Sequence, residues 1–149
     1  MAAMQLDAVS PMARDLLPHM LGAIAQAAPA TGNRATALAL LRAWDGTMDR
    51  AGPAPLIFTA WLRELNRVLY ADELGPAFPR FWSLRPLFVK PVLSRWPAWC
   101  NDTRTPGTES CAQQLAASLS TALAGLAQRH DREVAAWRWG DRHVARFSH

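Results

Sequence analysis

Leu38–Gly75, LALLRAWDGTMDRAGPAPLIFTAWLRELNRVLYADELG, is the stretch whose reading decides the fold. Its start reads as the end of an apolar helix carrying Leu38, Leu41 and Trp44, with Gly46 as a left-handed C-cap. Gly52 and Pro53 then forbid continuation through residues 47–54. Beyond that loop, Phe58, Trp61, Leu62, Leu65, Val68 and Leu69 recur at i, i+3, i+4 and i+7, the period of an amphipathic helix. Arg63, Glu64, Asn66 and Arg67 are assigned to its wet side. Two helices joined by a loop, packed on each other, are expected.

Outward from this pair the same signals repeat. Ser10-Pro11 is a helix start, a capping hydroxyl followed by a proline whose missing N–H costs nothing there. Met12, Leu16, Met20 and Ile24 mark the apolar face, and Pro18 predicts a kink or a two-part helix. Thr31-Gly32-Asn33 is a turn, with Asn33 placed to cap the next helix. Over residues 75–99 five prolines alternate with Phe78, Phe81, Trp82, Phe88, Trp96 and Trp99. That density forbids a long helix, and the aromatic content argues against disorder. Short turns near 79–84 and 86–95, lying across the helices as a packed lid, are expected. A last long helix is predicted from Thr108, with Glu109 favouring its dipole. Leu115, Leu119, Ala122, Leu123 and Leu126 face the core, and Gln113, Gln114, Ser118 and Gln128 face water. Strand patterning is weak throughout. The expected fold is all-α, one irregular multi-helix domain over 1–149 with a Pro/aromatic-rich packed connection.

The totals narrow the function classes. A chain of 149 residues supports one domain with a real core. Its seven tryptophans are many for that length, and each buried ring contributes roughly 4–6 kcal/mol before entropy. The charge of +4 comes from fifteen Arg and one Lys against twelve acids, spread along the chain and often beside an acid. A nucleic-acid reader concentrates its cations, so no nucleic-acid partner is expected. No apolar run reaches the length that spans a bilayer, and residues 1–15 lack the basic and apolar regions of a signal peptide. The C-terminus, ending after Phe147 without a cap or polar tail, reads as cut rather than finished.

Chemistry is sparse. Cys100 and Cys111 flank a polar loop, Asn101–Glu109, containing Pro106-Gly107. Their spacing does not fit paired zinc ligands. It leaves a disulfide, contributing roughly 3 kcal/mol by loop closure and implying an oxidising compartment, or two free thiols. Ser110, His130 and Asp131 can be assembled on paper as a triad, but adjacency in sequence is not triad geometry. His19, His130, His143 and His149 read as helix-end or surface residues. Trp137-Arg138-Trp139-Gly140 reads either as a ligand-binding aromatic pair or as rings closing the core.

Seven motifs, taken in order, resemble the penicillin acylase (penicillin amidase) family, which includes acyl-homoserine-lactone and cephalosporin acylases. They are Met4-x-Leu6-Asp7, Leu41-Arg42-Ala43-Trp44-Asp45-Gly46, Ile57-Phe58-Thr59-Ala60-Trp61, Leu69-Tyr70-Ala71-Asp72-Glu73-Leu74, Trp99-Cys100, Glu109-Ser110-Cys111 and Trp137-Arg138-Trp139-Gly140-Asp141-x-His143. The resemblance implies an N-terminal-nucleophile hydrolase that cuts its own precursor into α and β chains. The new β-chain serine attacks an acyl amide with its own α-amino group as base, while backbone and asparagine donors hold the oxyanion. It also implies a four-layer αββα catalytic sandwich, and in many members calcium and a periplasmic location.

The likeness is to the mostly helical part of the β chain, downstream of the nucleophile. No catalytic, cofactor-binding or metal residue of the family therefore maps here, and the family's calcium ligands fall outside the chain. Cys100 and Cys111 match a pair common in relatives, which implies that they form a disulfide. The expected role is a structural segment of an exported amidase, inactive alone, whose partners are the remaining α and β chains. A fragment of this kind is expected to expose apolar surface around Trp137 and Trp139 and to self-associate. The alternative is a free-standing helical protein-binding module with those rings buried.

Overall fold

A computed structural model describes residues 8–81, 83, 85–130 and 133–141. Within them run α1 (Pro11–Ile24), α2 (Gly32–Ala43), α3 (Ala54–Leu74), α4 (Pro86–Ser94) and α5 (Cys111–Ala127). Single helical turns cover Phe78–Phe81, Pro97–Cys100, Val134–Ala136 and Trp139–Asp141. The only β feature among the described residues is an isolated bridge between Val9 and Thr47. The fold is all-α, as the periodicities predict.

The long helix α3 and the C-terminal α5 form the most extensive helix pair, and α1 packs on both α5 and α4. Trp61, fully buried, sits at the α3–α5 crossing. Its indole N–H donates to the Leu115 carbonyl at 3.0 Å and to Ser118 Oγ at 3.2 Å. Phe58, Leu62, Leu65 and Leu69 from α3 join Leu115, Leu119, Leu123 and Leu126 from α5 in one apolar cluster with α1, α2 and α4.

Two residues assigned to wet faces are buried instead: Ser118, between the helices, and Asn66. Asn66 follows Leu62 by one turn, and Ser118 follows Leu115 by three residues, so both lie on the apolar stripes. Each is satisfied there. Asn66 Nδ2 donates to the Leu62 carbonyl at 3.1 Å, while its Oδ1 accepts the Arg85 N–H at 2.7 Å. A buried polar group is retained only when it is bonded, and Asn66 uses its bonds to fasten the start of α4 to α3.

Helix boundaries differ from expectation where local hydrogen bonds decide them. Ser10 caps α1 as predicted, accepting from the Ala13 N–H at 3.2 Å. The helix runs through Pro18 as one element, and the proline lies on its exposed side. Met12 is exposed, so the α1 core face is Ala13, Leu16, Leu17, Met20 and Ile24. For α2 the cap residue is Thr31, and Asn33 falls inside the first turn. The last helix starts at Cys111, because Ser110 and Gln113 close a reciprocal capping box. Thr108 and Glu109 stay in the loop.

Gly46 is left-handed (φ 90°), as predicted, but it is not a cap. The helix has already ended at Ala43, with Trp44 extended. Gly46 instead lies against α1: its carbonyl accepts the Ser10 N–H at 2.9 Å, and a Cβ there would meet Arg14 Cγ at 2.9 Å. The other side of the same loop receives the C-terminal turn. Trp139 N–H donates to the Gly52 carbonyl at 3.1 Å and Gly140 N–H to the Arg50 carbonyl at 2.9 Å. Trp137 and Trp139 are both buried, so the core-closing reading of that motif holds. The apolar surface expected around them is closed.

Two substitutions check this account by chemical denaturation. Gly46→Ala lowers unfolding free energy by about 1–2 kcal/mol, from the left-handed backbone alone. Asn66→Ala lowers it by about 1–3 kcal/mol, because the Arg85 N–H loses its acceptor.

Candidate functional site

Three features concentrate polar or aromatic chemistry: the disulfide loop, the Pro-rich segment, and the Trp137–Trp139 turn. Cys100 and Cys111 are joined, with 4.9 Å between their Cα atoms, and no other cysteine exists. The bridge ties the Pro97–Cys100 turn to the first residue of α5.

Between the cysteines the loop is organised by its own acids. Glu109 Oε2 accepts the Asp102 N–H at 3.0 Å and its Oε1 accepts the Thr105 hydroxyl at 2.6 Å. These bonds, the Thr105 hydroxyl first, lower the Glu109 pKa. Asp102 receives both Arg104 Nε and Nη2, at 2.8 and 2.6 Å. The guanidinium bonds hold its carboxyl at about 2. Asp72, on the last turns of α3, reaches the same loop, its Oδ2 accepting the Thr103 N–H at 2.9 Å. Its Oδ1 is buried without a hydrogen-bond partner among the described residues.

Calcium takes roughly six to eight oxygens at one centre. Among the described residues no three His, Cys, Asp or Glu side chains converge in that way. Asp102 and Glu109 are committed to the loop's own N–H, hydroxyl and guanidinium groups, so these residues do not fit the ion.

The Pro-rich segment forms an aromatic cluster. Tyr70 of α3 stacks on Phe88 of α4, centroids 5.4 Å apart. Phe88 meets Trp99 edge-on at 4.8 Å and Trp96 at 6.1 Å. Burial pushes the Tyr70 hydroxyl above its ordinary pKa, and the Arg85 charge opposes this. Tyr70, Leu74, Phe81, Ser83 and Arg85 border a depression of about 190 Å³. The lid expectation is met only in part, since Phe81, Leu87 and Trp96 are exposed, Leu87 by 82%.

The paper triad does not assemble. Ser110 caps the start of α5 and His130 follows its end, so a helix of about 25 Å separates them. Asp131 lies outside the described residues, as do His143 and His149. His19 sits exposed on α1. His130 lies 6.3 Å from the Trp137 ring.

The positions that sequence reading missed are Asn66, Ser118 and Asp72. The first two carried a usable signal, their place on the apolar stripe. The approach of Asp72 to Thr103 carried none, since 31 residues separate them.

A family model described as penicillin amidase matches residues 1–149. The acyl-homoserine lactone acylase QuiP of Pseudomonas aeruginosa is 32% identical over 117 residues, covering 70% of this chain and 13% of that protein. QuiP of Pseudomonas putida is 32% identical over 167 aligned residues, covering 97% of this chain and 20% of that protein. The chain thus spans a fifth or less of the length of these relatives. No solved structure matches it.

Two outcomes test the loop. Replacing both cysteines by alanine lowers unfolding free energy by about 3 kcal/mol, and hydrogen exchange rises across residues 101–110. The native pKa of Asp102, about 2, lies below the unfolded value of about 3.9. Its stabilisation is therefore complete above that unfolded value and is lost as pH falls towards the native one. Urea melts of the parent chain weaken over this interval, and Asp102→Asn flattens the dependence.

Proposed function

This chain belongs to the penicillin amidase family, and we propose that it is a scaffold segment of an acylase whose nucleophile and base lie outside these residues. The observation that carries the reading is how the buried polar groups are used. Asn66 and Ser118 are the buried polar residues among those described. One binds α4 to α3, and the other accepts the Trp61 indole N–H. Both are committed to holding helices, as a scaffold requires.

The parent enzyme hydrolyses the amide of an acylated small molecule through an acyl-enzyme, and the names of the relatives point to acyl-homoserine lactones. The attacking serine of such an enzyme uses its own α-amino group as base. The segment contributes packing beside that centre. An exported location accompanies the reading, supported by the Cys100–Cys111 disulfide. No helix among the described residues is long and apolar enough to cross a membrane.

A free-standing helical module is the second reading, favoured by one observation: the chain's own core buries Trp137 and Trp139. Activity and solution state separate the two. A chromogenic acyl-anilide incubated with the isolated chain is expected to show no turnover above buffer. Turnover that survives mutation of every serine would sink the nucleophile argument. Mixed with the remaining acylase chains, a scaffold segment is expected to co-sediment with them and to do so less when Leu87 is made polar, whereas a module sediments apart from them as a clean monomer with or without that change.

A further inference from the structure

The net charge of the chain is not evenly distributed. Residues 75–99 contain Arg80, Arg85, Lys90 and Arg95 and no acid, so the remaining twelve cations balance the chain's twelve acids. Lys90 is paired with Asp15 of α1 at 2.7 Å. Arg80, Arg85 and Arg95 are exposed, and the Arg80 guanidinium lies over the Phe81 ring, 5.4 Å from its centroid.

The same segment carries the exposed apolar side chains Phe81 (62%), Leu87 (82%) and Trp96 (48%). Phe81 borders the depression that Tyr70 also lines. From Tyr70 the rings continue through Phe88 to Trp96, giving a continuous aromatic strip. Leu87 precedes Phe88 on the first turn of α4. Apolar anchors with a charged rim form the anatomy of a protein interface, and the charges that residues 75–99 bring to this rim are all positive.

We propose that this aromatic strip is the face on which the rest of the acylase polypeptide docks, by an apolar surface rimmed with carboxylates. The proposal rests on the scaffold reading, in which four-fifths or more of the relatives' length lies outside the matched stretch. Charge selects this occupant over a second copy, because two such faces would bring arginine against arginine. The depression of about 190 Å³ has the size for one apolar side chain of the partner surface. A flat lipid surface has no use for it. Arginine serves such a rim well, since its planar fork meets carboxylates bidentately.

The test uses Leu87→Cys, which supplies the sole free thiol because Cys100 and Cys111 are joined. Maleimide labelling of this cysteine, followed by peptide mass spectrometry, is compared in two settings. One is the 149-residue chain. The other is Pseudomonas putida QuiP with this chain in place of its matched stretch. Labelling is expected to slow by about tenfold or more in the chimera, as for a site reached only by local opening. Adding Arg80→Glu, Arg85→Glu and Arg95→Glu is expected to restore most of the rate there and to leave the isolated chain unchanged.

Equal labelling of the two proteins overturns the docking face. Protection that survives the charge reversal overturns the carboxylate rim. Protection of the isolated chain by phosphatidylglycerol vesicles, and not by phosphatidylcholine, assigns the face to a membrane and overturns the proposal. A chimera that fails to fold counts against the scaffold reading itself and is recognised by loss of soluble protein.

Discussion

The bond on which this structure most depends is the indole N–H of Trp61, shared between the Leu115 carbonyl and Ser118 Oγ. An indole that large is worth burying only if its single donor is met, since an unmet donor in the core costs about 1–3 kcal/mol. The acceptors come from α5, and one of them is a main-chain carbonyl whose position moves with the helix. That fixes the register of α3 against α5 in a way that leucines alone do not, because apolar contacts have no direction. Ser118 bonds in turn to the same carbonyl at 3.1 Å, so its hydroxyl is held in place to receive the indole.

Once that pair is set, the other elements attach through irregular backbone. The loop between α2 and α3 is held from both ends of the described chain, by residues 8–10 on one side and 138–140 on the other. Two glycines make these approaches possible for different reasons. Gly46 supplies a left-handed φ, and Gly140 supplies room, since a Cβ there would lie 3.2 Å from the Arg50 carbonyl oxygen. Further along α3, Asn66 and Asp72 fasten the Pro-rich segment and the disulfide loop. The longest helix is therefore a beam to which irregular segments are tied by single polar side chains.

Helix positions and the α3–α5 core faces were legible because a 3.6-residue period repeats over long windows and one residue more or less does not blur it. Asn66 and Ser118 were misplaced because their side chains were sorted by polarity, whereas a helix buries residues by angle. Gly46 was assigned the right backbone and the wrong purpose: a positive φ follows from residue type, but its contact with Arg14 depends on a helix 32 residues away. Family membership was legible in short motifs scattered along the chain. Most of them fall on packing residues such as Trp61, Cys100 and Trp137, so it is the scaffold of the chain that declares its family.

Charge shows the same gap between a total and a place. A value of +4 spread over 149 residues looks like a solubility property, and one cation every five residues from 80 to 95 looks dispersed. Folding changes that. Asp15 arrives from α1 to neutralise Lys90, while Arg80 sits in the turn just before Phe81 and Arg85 and Arg95 stand at the two ends of α4, all three at the surface. Exposed ion pairs are worth at most about 1 kcal/mol, so stability exerts little pressure on the sign of surface residues here. A stretch of 25 residues with no acid in it, beside side chains as exposed as Leu87, is then explained by what the surface meets rather than by how the chain folds.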